Sequence, residues 1–229
     1  MSNISKIATS KDAPSLRERV YNDLRAQILS GKIGAGTRLV ETTLAKELGV
    51  SRTPVREALH RLGLENLVQS MPRVGYMVND MSEYDVDDLF STRAAIEQLV
   101  AQRALGRITP EELDQIERNV TRTDQVLKTG QTKRMIDLDT EFHEIICRAS
   151  RSRRLYQIAQ ILREHMLKFR KACLHFPEIA ERARDDHFLI LKAFRAKDPR
   201  KLDEAMGFHM AHTKRDILDH IRRLKEQSF

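Results

Sequence analysis

The sequence has no tryptophan, only four tyrosines and only nine glycines among its 229 residues. That is too little for an aromatic platform that stacks nucleic-acid bases, or for a large β structure with many tight turns. Its two cysteines, Cys147 and Cys173, cannot form a disulfide framework. With no secretory leader, reduced thiols in a cytoplasmic setting are expected. No apolar run approaches about 18 residues, which excludes a membrane-spanning helix. What remains is an ordinary share of hydrophobic residues, 41%, and a length that accommodates two modest domains with cores of their own.

The formal charge is +7, from 40 Lys and Arg against 33 Asp and Glu. The excess is denser at the N-terminal end: the first 80 residues carry 12 basic and 8 acidic side chains, the other 149 carry 28 and 25. Such a balance suits a polyanionic partner without requiring one. The run from Leu44 to Leu59, LAKELGVSRTPVREAL, gives that charge a purpose. Leu44, Ala45 and Leu48 form the buried edge of a first helix, Gly49 supplies the left-handed residue that ends it, and Ser51 caps a second. Pro54 is tolerated in the first turn of that second helix, and Val55, Leu59 and Leu62 recur at helical spacing toward a core. Arg52, Thr53 and Arg56 are left on the exposed side at the helix N-terminus. There arginine can bond guanine O6 and N7 as a pair, and the helix end favours phosphate.

Around this run the chain reads as an arm over 1–13, a winged helix-turn-helix over 14–80 and an all-α antiparallel bundle over 81–229, so the fold class is mainly α. Leu16, Val20, Leu24 and Ile28 mark the first helix, opened by a capping box from Ser15 to Glu18 and closed at Gly31. Leu67–Ser70 and Tyr76–Val78 flank a turn and form the wing, with Arg73 at its tip able to reach a phosphate or the minor groove. Beyond Asp80 about six helices are predicted, starting at Ser82, at Thr109-Pro110, near Thr132, near Ser152, near Pro177 and at Asp198-Pro199.

Within the bundle, Asp139 and His143 lie four residues apart and project from one helix face, within reach of a single ion. His187 and His209 stand among apolar neighbours on later helices. A bundle can gather such groups around a divalent metal, and equally each can be an ordinary hydrogen-bonded histidine. Cys147, one turn beyond His143, is a possible soft ligand or a small buried thiol. His212 can lie at the rim of the same pocket or on the plain surface.

These residues resemble the GntR family of transcriptional regulators, in its FadR subgroup with the shorter, VanR-like FCD effector domain. The resemblance runs over nearly the whole chain, from Gly36-Thr37-Arg38-Leu39 through the Leu44–Leu59 run to Arg73-Val74-Gly75, then through Asp139, His143, His187, Asp198, Ala205-Met206 and His209. It implies DNA contacts from Ser51, Arg52, Thr53 and Arg56 and from the wing at Arg73 and Gly75. Thr42 departs from the pattern, standing where some relatives have arginine. The resemblance also implies a divalent ion of the zinc, nickel or manganese class held by Asp139, His143, His187 and His209. It places Arg93 where it either bonds the carboxylate of an acidic effector or pairs with Glu97 one turn on.

The expected protein is a sequence-specific, ligand-responsive regulator, most simply a repressor relieved by a small carboxylate or sugar acid. It pairs as a homodimer on an inverted-repeat operator in double-stranded DNA and has no membrane partner. A metal-dependent hydrolase carrying a DNA-targeting domain is the alternative, with Glu141 and Glu144 as the nearest candidate bases. An architectural DNA-binding protein without a ligand is a third.

Overall fold

The computed structural model describes residues 14–72, 74–80, 82–130 and 134–226. The expected arm over 1–13, the wing-tip Arg73 and the helix start near Thr132 lie outside them. The rest falls into two compact units that divide at Asp80.

In the first unit α1 (Leu16–Leu29) is followed by β1 (Arg38–Leu39), α2 (Glu41–Leu48), α3 (Arg52–Leu64), β2 (Val68–Met71) and β3 (Gly75–Val78). The Ser15–Glu18 capping box forms, and Gly49 ends α2 in the left-handed region at φ 66°. Val55, Leu59 and Leu62 are wholly buried against Val20, Leu24 and Ile28, so α3 is held by one apolar stripe while its opposite face is free. Ser51 occupies the N-cap position of α3, but its side chain makes no capping hydrogen bond. Its hydroxyl therefore stays on the exposed end of the helix.

The wing carries a third strand that the sequence did not disclose. β1 pairs antiparallel with β3, giving the order β1-β3-β2 with Leu39 opposite Tyr76 and Val68 opposite Val78. Two residues are too short for any alternation to register. Gly75 is fixed by this pairing: at φ 111°, a Cβ there would lie 2.6 Å from the Leu39 carbonyl oxygen. Arg38 Nε adds a bond to the Val74 carbonyl at 2.9 Å, so the β3 side of the wing turn is tied to β1 through both backbone and side chain.

The second unit has seven helices among its described residues, where about six are expected: α4 (Glu83–Leu105), α5 (Pro110–Lys128), α6 (Met135–Ala149), α7 (Arg153–His165), α8 (Leu167–Cys173), α9 (Pro177–Ala196) and α10 (Pro199–Glu226). Capping boxes form at Ser82–Asp85 and Thr109–Glu112, and Asp198 accepts bonds from the Arg200 and Lys201 amides. The additional helix arises because the segment after Ser152 breaks at Met166. There the amide bonds back to Arg163 in a tighter turn and the wholly buried side chain anchors the bend. No glycine or proline marks it. Val100, Ile116, Phe142, Ile190, Phe194 and Leu202 form the centre of the bundle, and the polar residues of the next section lie inside it.

Candidate functional site

Two sites emerge, one in each unit. On the first, Ser51, Arg52, Thr53 and Arg56 are all exposed at the N-terminal end of α3. The two arginines are not loose. Arg56 donates from Nε and Nη2 to the Glu41 carboxylate at 3.0–3.2 Å, and Arg52 Nη2 donates to the same group at 3.1 Å. The other carboxylates near Arg56 in sequence are engaged elsewhere, Glu57 by Arg17 and Glu65 by Arg25.

The second site is buried. On α6 the apolar stripe Leu138, Phe142, Ile146 and Ala149 turns inward, and it carries the adjacent stripe Asp139, His143, Cys147 inward with it. On α9 the pair Asp186-His187 precedes Ile190 and Leu191 on the buried face, and on α10 His209 sits between Met206 and Met210. His143, His187 and His209 are 1%, 3% and 2% exposed, and each offers a ring nitrogen within 4.8 Å of the others. The Nε2 atoms of His143 and His209 are 3.2 Å apart. His187 stacks flat on Phe142, with ring centres 3.7 Å apart, and its Nε2 has no hydrogen-bond partner. Asp139 brings Oδ1 to 3.6 Å from that Nε2 and 3.9 Å from the His143 Nε2, while Oδ2 meets Arg170.

Each of two histidines has a carboxylate behind it. His143 Nδ1 faces Glu97 at 3.5 Å, and His209 Nδ1 faces Asp186 at 3.6 Å, while His212 Nδ1 lies 3.0 Å from both oxygens of Asp186. A carboxylate on that side favours the tautomer with the proton on Nδ1, which leaves the Nε2 lone pair toward the cluster, although at 3.5 and 3.6 Å neither contact is a hydrogen bond. Burial pushes His209 down to about 4, against the pull of Asp186, and lowers His143 and His187 as well. At neutral pH all three imidazoles are uncharged, the form in which nitrogen coordinates metal. The donor set therefore fits a divalent ion.

Arg93 is 1% exposed, donates Nε to Glu97 at 3.3 Å and leaves Nη1 without a partner. Arg163 joins the same carboxylate at 3.4 Å and contacts Cys147 Sγ at 3.2 Å. Cys147 thus faces a guanidinium, and burial raises its thiol above the ordinary range. Burial would also raise Glu97, but His143, Arg93 and Arg163 hold its carboxyl well below the usual range. A cavity beside the histidines is lined by Asp139, Arg170, Arg182, Asp186, His209 and His212, with room for about 30 Å³, a water or two.

One consequence concerns acid. In metal-stripped protein His209 is neutral when folded, at about 4, and takes up a proton near 6.5 once unfolded. The unfolded chain binds more protons between those values, so stability is full above about pH 6.5 and is lost as pH falls toward 4, by on the order of 3 kcal/mol for this group alone. Melting curves in chelator across that range check it; a flat profile would show that His209 is not held neutral.

Glu97, Asp186, Arg163, Arg170 and Glu41 do not stand out from the sequence as functional residues. Asp186 carried the clearest signal, directly preceding His187. Glu141 and Glu144, the candidate bases, are committed elsewhere: Glu141 to Arg122 and Asn119, Glu144 to Arg148 and Tyr156.

A winged helix-turn-helix with exposed arginines at the start of its second helix, followed by a helical unit enclosing a histidine cluster, is the arrangement of a DNA-binding regulator with a second, helical domain. Residues 16–78 match the model for bacterial regulatory proteins of the gntR family and residues 88–212 match the FCD domain. The chain belongs to the GntR family of transcriptional regulators, in its FadR-like subgroup with a C-terminal FCD domain. The HTH-type regulator YdhC of Bacillus subtilis is 29% identical over 90% of this chain and 91% of its own length. The gluconate operon transcriptional repressor of Bacillus licheniformis is 32% identical over 79% of this chain and 76% of its length. The solved structure of Escherichia coli McbR/YncC superimposes with a TM-score of 0.68 at 25% identity, covering 95% of this chain and all of that one. These relatives are regulators, and the hydrolase reading is set aside. Among the described residues no helix is long and apolar enough to cross a membrane.

Proposed function

We propose that this regulator is a cytoplasmic, metal-dependent sensor of a small organic acid that releases an inverted-repeat operator when the acid binds. Ser51, Arg52, Thr53 and Arg56 read base edges from α3, with Gly75 and Arg73 of the wing beside the duplex. Two copies pair, because one short helix offers too few contacts to select a site. Residues 14–80 act as the DNA-binding domain and 81–229 as the sensing and pairing domain, preceded by an arm over 1–13.

The observation that carries the sensing half is the convergence of three neutral, buried imidazoles and one carboxylate beside a cavity lined by arginine. His143, His187, His209 and Asp139 would hold a divalent ion, whose remaining positions supply a Lewis-acidic seat for carboxylate or hydroxyl oxygens. Arg170 and Arg182 line the cavity, and Arg93, outside its lining, keeps Nη1 unpartnered for an acid group that enters once the cavity widens. With room for about 30 Å³, the cavity must widen around α9 and α10 to admit an organic acid. That required movement supplies two states on which an effector can act, to the extent of its differential affinity for them.

A thermal-shift screen of small hydroxy acids and sugar acids, with and without divalent metal, tests this reading. Gluconate is included because the Bacillus licheniformis relative is a gluconate operon repressor. A stabilising acid that requires metal, and whose effect weakens in Arg93→Lys, where charge is kept but the fork is lost, is the expected result. Stabilisation independent of both metal and Arg93 would overturn it.

A further inference from the structure

The clamp between α2 and α3 has a use that stability does not explain. Glu41 opens α2 and its side chain is 19% exposed, whereas Arg52 and Arg56 are 58% and 60% exposed. Ion pairs between such exposed groups add little to folding. An acidic side chain on a DNA-facing surface also opposes phosphate attraction, the main source of affinity for any duplex. What the carboxylate does achieve is orientation. It occupies Nε and Nη2 of Arg56 along one edge of the guanidinium. Nη1 and the second Nη2 hydrogen are left as a free fork, the pair of donors that guanine O6 and N7 accept. The same oxygen that bonds Arg56 Nη2 holds Nη2 of Arg52, four residues earlier on the helix. One carboxylate therefore sets the rotamers of two flexible side chains before DNA arrives, which reduces the ordering cost of binding at a matched site.

We propose that Glu41 is a positioning residue that determines specificity: it aims Arg52 and Arg56 at base edges and offsets their attraction to phosphate. This rests on the reading that the two arginines contact bases. Its signature is opposed changes on two kinds of DNA. Removing the charge loosens the arginines at the matched site and strengthens binding to every other sequence.

The probes are duplexes enriched by the full-length wild-type protein from a randomised library, compared with the unselected library. Glu41→Gln, which keeps the shape and removes the charge, is expected to reduce the ratio of selected to unselected affinity by about tenfold. Affinity for the unselected library should rise, with the melting temperature unchanged. Selectivity retained in Glu41→Gln would overturn the proposal, as would an equal loss on both DNAs accompanied by a lower melting temperature. Arg52→Ala and Arg56→Ala in the same assay separate the two readings. If they weaken both DNAs equally, base reading by the arginines fails; if they lose selectivity while Glu41→Gln does not, only the role of Glu41 fails.

Discussion

Protein prepared without chelator is expected to contain about one divalent ion per chain, and stripping that ion should lower the melting temperature sharply. The magnitude follows from linkage: free metal a thousandfold above its dissociation constant stabilises the fold by about 4 kcal/mol. His187→Ala should abolish the metal-dependent part. His187 stacks on Phe142 at the wall of the site and holds an unpartnered Nε2 toward Asp139, so its loss removes a ligand and opens a void where the ring lay. The void destabilises the protein with or without metal, so the diagnostic quantity is the difference between the two melts. Cys147→Ser supplies the control, because its thiol faces Arg163 rather than the histidines, and it should leave metal content unchanged. Elemental analysis finding no ion in the wild type, together with melts that zinc, nickel and manganese leave unmoved, would remove the metal from the mechanism.

What the sequence discloses is what is local. The Ser82–Asp85 and Thr109–Glu112 boxes reveal helix starts because the capping partners are three residues apart. Asp139 and His143 read as neighbours because a helix brings i and i+4 together. His187 and His209 join them only through packing of α6, α9 and α10, which no spacing reports. The same limit hides Glu97 behind His143, 46 residues away in sequence, and Arg170 beside Asp139. It also hides Glu41, whose pairing with Arg52 and Arg56 depends on the angle between α2 and α3 rather than on any periodicity. The break at Met166 escaped for another reason: burial of one side chain bends the chain there, without a residue that favours bending.

The buried charge cluster yields the other large effect. Glu97 is 2% exposed and faces Arg93 at 3.3 Å, Arg163 at 3.4 Å and His143 at 3.5 Å. Glu97→Gln preserves its shape but leaves two buried guanidiniums without that anion, and breaking a buried pair on one side costs about 3–5 kcal/mol. The same change removes the carboxylate that orients His143, a loss that typically weakens metal binding by about 10–100-fold. The two effects separate on titration. Excess metal should restore occupancy of the site, whereas the loss from the unpaired arginines persists at saturation. Adding Arg93→Met to Glu97→Gln should recover part of the stability, since one of the stranded charges is then gone; the coupling between the two changes measures how strongly they interact. A Glu97→Gln protein that melts within about 0.5 kcal/mol of the wild type at saturating metal would mean that Glu97 does not hold those arginines as a buried anion. The persistent loss would instead mean that one carboxylate serves two tasks, neutralising the buried Arg93 and Arg163 and setting the His143 ring.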